Sequence, residues 1–151
     1  MPLFSFPARV NERAARLVAA GAATSSLVAL TSGASWLVPI IAGGFLLRVG
    51  WGPLLSPTAR LAMWGAPKLW ETRLVAGAPK RFAQAIGAAL TVAASVLIAL
   101  GHPTVSGALL ATIALFATLE ATLSFCLGCW LYGQLQRLGL FPADSCSECV
   151  T

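Results

Sequence analysis

Four cysteines stand in two C-x-x-C pairs, Cys126/Cys129 and Cys146/Cys149, which together write C-x2-C-x16-C-x2-C. Two chemistries fit that spacing. Four thiolates in two close pairs make a zinc-type ligand set. Two dithiols also make a relay, in which a fixed pair exchanges disulfide or sulfur with a pair on a movable tail. The chain from Leu138 to Cys146 reaches about 27 Å when extended, so the tail can fold back to Cys129. If residues 125–130 are helical, Cys126 and Cys129 share a face with β-carbons roughly 5–6 Å apart, wider than the roughly 3.5–4.5 Å of a disulfide. Such a pair suits metal binding, persulfide handling or pairing with another cysteine as well as an internal bond. Packing of two small, soft side chains between helices is the plain alternative.

The first pair closes a long apolar run, Val105 to Leu138, whose one acid is Glu120. Counting inward at 1.5 Å per residue from the expected outer helix ends sets Arg16, Arg48, Gln84 and Glu120 at one depth, roughly 20–25 Å. An acid inside a span is costly unless paired, which makes Arg16 or Arg48 its expected partner. This polar layer reads either as an ion pair that locks the helices or as a proton or substrate site. On one continuous helix Glu120 lies about 180° from Cys129, the wrong side for a base. Lys80 and Arg81 enter the third span at a similar depth and are placed to lower a thiol pKa. His102 stands in a turn away from every cysteine. The absence of P-loop, GxGxxG, HExxH and GxSxG patterns argues against a nucleotide enzyme or a hydrolase.

The elements that hold these residues are membrane helices. Only 10% of the 151 residues are charged and 58% are apolar, with mean hydropathy +0.82, too little polar surface for a soluble domain of this size. The fold class expected is an all-α membrane protein: four transmembrane helices in an antiparallel bundle, with a short interfacial amphipathic helix between spans two and three. The spans read as about 14–32, 35–50, 82–101 and 104–130, the last continuing as a helix to about 138. Residues 1–138 then form one transmembrane domain and 139–151 a cytoplasmic tail. Asn11-Glu12-Arg13 is a helix start, Ser56-Pro57 opens the surface helix, and Gly101-His102-Pro103 is a tight turn. The first span has some marks of a secretory signal, but further spans follow at once and it is expected to remain in the mature chain.

Charge sets the orientation. The ten Lys and Arg lie before or near the start of span one, between spans two and three, or after span four; the other two connections carry none. By the positive-inside bias both termini and the long loop face the cytoplasm, a reducing compartment for all four cysteines. The net charge of +5 is thereby assigned to topology. No basic cluster is interleaved with aromatics as in nucleic-acid sites.

On Asn11-Glu12-Arg13, Pro79-Lys80-Arg81-Phe82-Ala83-Gln84 and Phe125-Cys126-Leu127-Gly128-Cys129, the chain resembles an uncharacterised bacterial integral-membrane family catalogued as domain of unknown function four-three-nine-five. The resemblance covers roughly Val10 to Leu135. It implies a multi-span bacterial membrane protein with a cysteine pair in its last span, and it leaves Cys146 and Cys149 outside; the membrane expected is the bacterial cytoplasmic one. The resulting expectation is a cytoplasmic-side thiol redox or sulfur-transfer module that works with a soluble thiol or sulfurtransferase-type protein. The alternative is a non-enzymatic membrane module with a structural four-cysteine zinc site. Quinone enters only by analogy with four-helix thiol–quinone enzymes.

Overall fold

The structure is a computed structural model and describes residues 7–141. In chain order its elements are β1 (Arg9–Asn11), α1 (Glu12–Ser32), α2 (Leu37–Trp51), a 3-10 turn (Gly52–Leu54), α3 (Pro57–Leu69), β2 (Leu74–Ala76), α4 (Gly77–Ala99), α5 (Pro103–Leu123) and α6 (Leu127–Arg137). Four helical stretches are long and apolar enough to cross a membrane: 12–32, 37–54, 77–99 and 103–123. The expected class, all-α with four candidate spans, is the one observed.

Local chemistry explains most of the boundaries. Asn11 caps α1 by accepting from the Arg13 amide at 3.0 Å, which satisfies one of the orphan donors of a helix start. Gly33, at φ +66°, ends that helix. Gly101, at φ +80°, turns the chain between α4 and α5, and Pro103 opens α5 where a missing amide costs nothing.

Helix α1 packs on α5, α2 on α4, and α4 on both α5 and α6. Their shared core includes Val38, Ile41, Phe45, Ala88, Leu110 and Ile113. Bulky residues such as Ile40, Leu46, Val96 and Leu115 face outward, as a bilayer solvent requires. The surface helix α3 turns Ala59, Ala62 and Ala66 toward Ala14 and Val18 of α1. Its other face exposes Leu61, Trp64 and Leu69, with the Lys68 ammonium 3.3 Å from the centroid of the Trp64 ring. A bulky apolar face with a cation at its edge suits the headgroup boundary.

Two features differ from the sequence reading. The first is a short antiparallel ribbon: β1 pairs with β2 in the register Arg9↔Ala76, Val10↔Val75 and Asn11↔Leu74. Strands this short carry too little alternation to be read locally. The second concerns the helix expected to run from 104 to about 138, which is two helices. α5 ends at Leu123, Ser124 takes a left-handed conformation at φ 59°, and α6 starts at Leu127.

The break has a cause in α1. Arg16 donates from Nε at 3.0 Å and from Nη2 at 2.8 Å to the Ala121 carbonyl, and from Nη2 at 3.0 Å to that of Thr122. A guanidinium on the last carbonyls satisfies the orphan acceptors of α5 and complements the negative end of its dipole, so the helix can stop there. Arg81 acts similarly near the end of α2, its Nε donating to the Val49 carbonyl at 3.1 Å.

Candidate functional site

The break decides what the first cysteine pair is. Cys126 is not inside a helix: it is the N-cap of α6, in extended conformation, and its sulfur accepts from the Cys129 amide at 3.4 Å. Cys129 sits two residues into the helix. The β-carbon spacing argued for a continuous helix therefore does not apply, and the two thiols share a hydrogen bond. No disulfide joins them; Cys126 is buried and Cys129 partly so.

Helix α6 is held in place within the pair and one turn beyond it. Gly128 lies against α4 so closely that a β-carbon there would stand 2.5 Å from Ala83 Cβ and 2.6 Å from Ala83 Cα. Only glycine permits that approach. Farther along, Tyr132 packs on Phe82 with ring centroids 5.6 Å apart and stacks on Phe141 at 4.9 Å.

The electrostatics follow from this seat. The partner of Glu120 is neither arginine: Lys80 Nζ meets Glu120 Oε1 at 2.5 Å, with both side chains largely buried. The expected pairing with Arg16 or Arg48 is corrected accordingly. Lys80 was expected to act on the thiols and not on Glu120 because span three was expected to start at 82, whereas α4 begins at Gly77 and carries Lys80 in its first turn. The charges of both Lys80 and Glu120 act on both thiols. The angular argument against Glu120 also lapses, since Glu120 and Cys129 belong to different helices.

Beyond the last candidate span, the hydrogen bond with Cys129 holds the Cys126 thiol below its ordinary value, helped by Lys80 and opposed by burial and Glu120. The same hydrogen bond and burial push the Cys129 thiol up. The pair is thus asymmetric, with Cys126 the better thiolate and Cys129 holding a proton.

The polar layer divides. Arg48, Gln84 and Glu120 border one cavity of about 100 Å³, together with Cys126 and the apolar Phe45 and Phe116. Within it Arg48 Nε donates to Gln84 Oε1 at 2.8 Å. Arg16 is not in that wall; it closes α5. The site residues brought together are Cys126, Cys129, Glu120, Gln84 and Arg48, with Lys80 added.

The family model described as domain of unknown function (DUF4395) matches residues 10–137. The chain belongs to this family. The match includes Cys126 and Cys129 and the whole polar layer, and it stops before Cys146 and Cys149. No curated protein and no solved structure matches this DUF4395 chain. Cys146 and Cys149 lie outside the described residues, and with them half of any four-cysteine zinc set. Among the described residues no three metal-type ligands of the His, Cys, Asp and Glu kinds come together.

Proposed function

We propose that this DUF4395 protein is a thiol redox or sulfur-transfer module of the bacterial cytoplasmic membrane. In this reading the spans alternate in direction, and both termini and the cysteines are on the cytoplasmic side. The observation that carries it is the capping geometry of Cys126. A thiol at the amide end of a helix, hydrogen-bonded to a second thiol and beside a lysine, is how proteins make one thiolate of a pair nucleophilic. Charge position supports the orientation.

The step is a thiol–disulfide exchange. The Cys126 thiolate attacks one sulfur of a disulfide on the tail or on a soluble partner, forming a mixed disulfide and releasing the other sulfur as a thiolate. Cys129 then gives its proton to that thiolate and attacks Cys126 Sγ, expelling the second thiolate. The dithiol Cys126/Cys129 is oxidised and the incoming disulfide reduced. Cys146 and Cys149 are the pair we assign to carrying the exchange between this site and a soluble thiol or sulfurtransferase-type protein. In sulfur transfer Cys126 instead attacks the outer sulfur of a persulfide, the donor leaves as a thiolate, and an acceptor thiolate takes that outer sulfur from Cys126, so that Cys126 and Cys129 stay reduced.

Mass spectrometry of alkylated single-cysteine variants, with metal content measured alongside, tests this. Cys129→Ser should trap a Cys126-linked adduct to the tail or to a soluble thiol protein, because its resolving thiol is gone. Stoichiometric zinc lost in every Cys→Ser variant, with no adduct in any, overturns the relay in favour of the metal clamp. Neither metal nor adduct returns the pair to packing.

A further inference from the structure

Arg48 is buried, at 8% exposure, yet among the described residues the ion pairs are Arg73 with Glu12 and Lys80 with Glu120. Arg48 has none. Its Nε donates to Gln84 and its Nη1 to Thr58 at 3.3 Å, and the guanidinium carbon stands 4.5 Å from the centroid of the Phe45 ring. Those are neutral partners. A guanidinium carries five N–H donors and cannot discharge itself. A cation enclosed in an apolar helix assembly without a counter-ion is expensive, and such residues mark ligand or ion sites.

A second, larger cavity of about 480 Å³ supplies room for the missing charge. It lies between α1, the end of α2, α3, the ribbon and the start of α4, and Val18, Arg48 and Gln84 line both it and the cavity beside Cys126. Arg9, Arg48 and Lys80 are its charged lining residues; no carboxylate is among them. Val18, Leu54, Ala59 and Met63 make much of the remaining wall apolar. The volume falls in the range of small-ligand sites, about 300–1,000 Å³. It lies under α3, whose exposed Leu61, Trp64 and Leu69 with Lys68 beside them suit the headgroup level.

We propose that this cavity binds an anionic amphiphile, whose carboxylate or phosphate lies against Arg48 and whose apolar part follows Val18, Ala59 and Met63. The acid is the counter-ion that Arg48 lacks. The chemistry has two natural sources, an anionic phospholipid of the surrounding bilayer or a free fatty acid. The site adjoins the thiol pair, since Arg48 and Gln84 line both cavities, but binding of the acid does not depend on the thiol exchange.

The test uses the full chain, purified in a neutral detergent and stripped of lipid, with palmitate, dioleoyl phosphatidylglycerol and dioleoyl phosphatidylcholine as probes. The readout is a saturable rise in melting temperature. A rise with phosphatidylglycerol alone assigns a bilayer lipid, one with palmitate alone a free acid, and one with both shows that head charge suffices. Phosphatidylcholine should give none. Charged hydrogen bonds contribute about 1.5–3 kcal/mol, so Arg48→Gln should weaken binding about tenfold or more, while Arg48→Lys retains part of it. Because Arg48→Gln could fail to fold, Ala15→Phe serves as a second variant: it keeps Arg48, fills the cavity and should abolish the rise. The double variant Cys126→Ser/Cys129→Ser should bind as the parent does. The proposal is overturned if neither anion outdoes phosphatidylcholine, or if Ala15→Phe leaves binding intact.

Discussion

Cys126 caps α6 at the Cys129 amide and is also the more acidic thiol of its pair, so its reactivity and its place in the fold depend on the same contacts. The Cys129 hydrogen bond lowers its pKa, which increases the thiolate fraction at any given pH. The iodoacetamide rate-versus-pH curve of Cys126 should therefore lie to lower pH than that of a free thiol, near 8.5. Cys129→Ala should shift the curve upward; an unchanged midpoint would remove the hydrogen bond as the cause. The neighbouring pair gives a second expectation. Lys80 and Glu120 are mutually buried, so removing either should destabilise the protein by about 3–5 kcal/mol. Lys80→Gln combined with Glu120→Gln should fall short of the sum by more than Glu120→Gln with Arg48→Gln, which share a cavity wall but no ion pair. Denaturant titration of the four chains in each cycle decides it. That Glu120 needed a cation was legible from the sequence. Which cation was not, because depth counting depends on where each helix starts and α4 starts earlier than its hydropathy suggests.

Where an element ends matters as much here as what it contains. The helix starts at Asn11 and Ser56-Pro57 and the turn at Gly101-His102-Pro103 were legible because each rests on residues a few positions apart. The end of α5 was not: Leu123-Ser124-Phe125 holds no proline or glycine, and what stops the helix is Arg16, far away in sequence, on the carbonyls of Ala121 and Thr122. The ribbon escaped for the same reason, its strands being stabilised only by each other. Gly128 then sets how α6 sits. Gly128→Ala would force α6 away from α4, at about 1–3 kcal/mol, and should raise the alkylation rate of Cys126 in the folded protein. Trimming the opposite residue with Ala83→Gly should not restore the parent rate, because the Ala83 Cα alone lies 2.6 Å from the added carbon. Full rescue by Ala83→Gly would show that the seat is looser than drawn.

Across the whole molecule the ten Lys and Arg fall before or near the start of α1, between the end of α2 and the start of α4, or after α5, and the proposed orientation follows from that asymmetry. A reporter fused after Thr151 should read as cytoplasmic and one inserted at Gly101-His102 as external. The reverse would put the thiols in an oxidising compartment, where Cys126 and Cys129 would be isolated as a disulfide. The ribbon has a separate bearing on how the chain is made. β1 leaves the ribosome before α1, α2 and α3, and it has no ladder to join until β2 follows them. The Glu12 amide likewise waits for the Arg73 carbonyl, and the Gly77 amide closes on the Ala8 carbonyl at 2.8 Å only when α4 begins to emerge. Helices α1, α2 and α3 are therefore all synthesised while the leading strand is still unpaired. The stitch that gathers that strand to the base of α4 can close only once α1, α2 and α3 have been made.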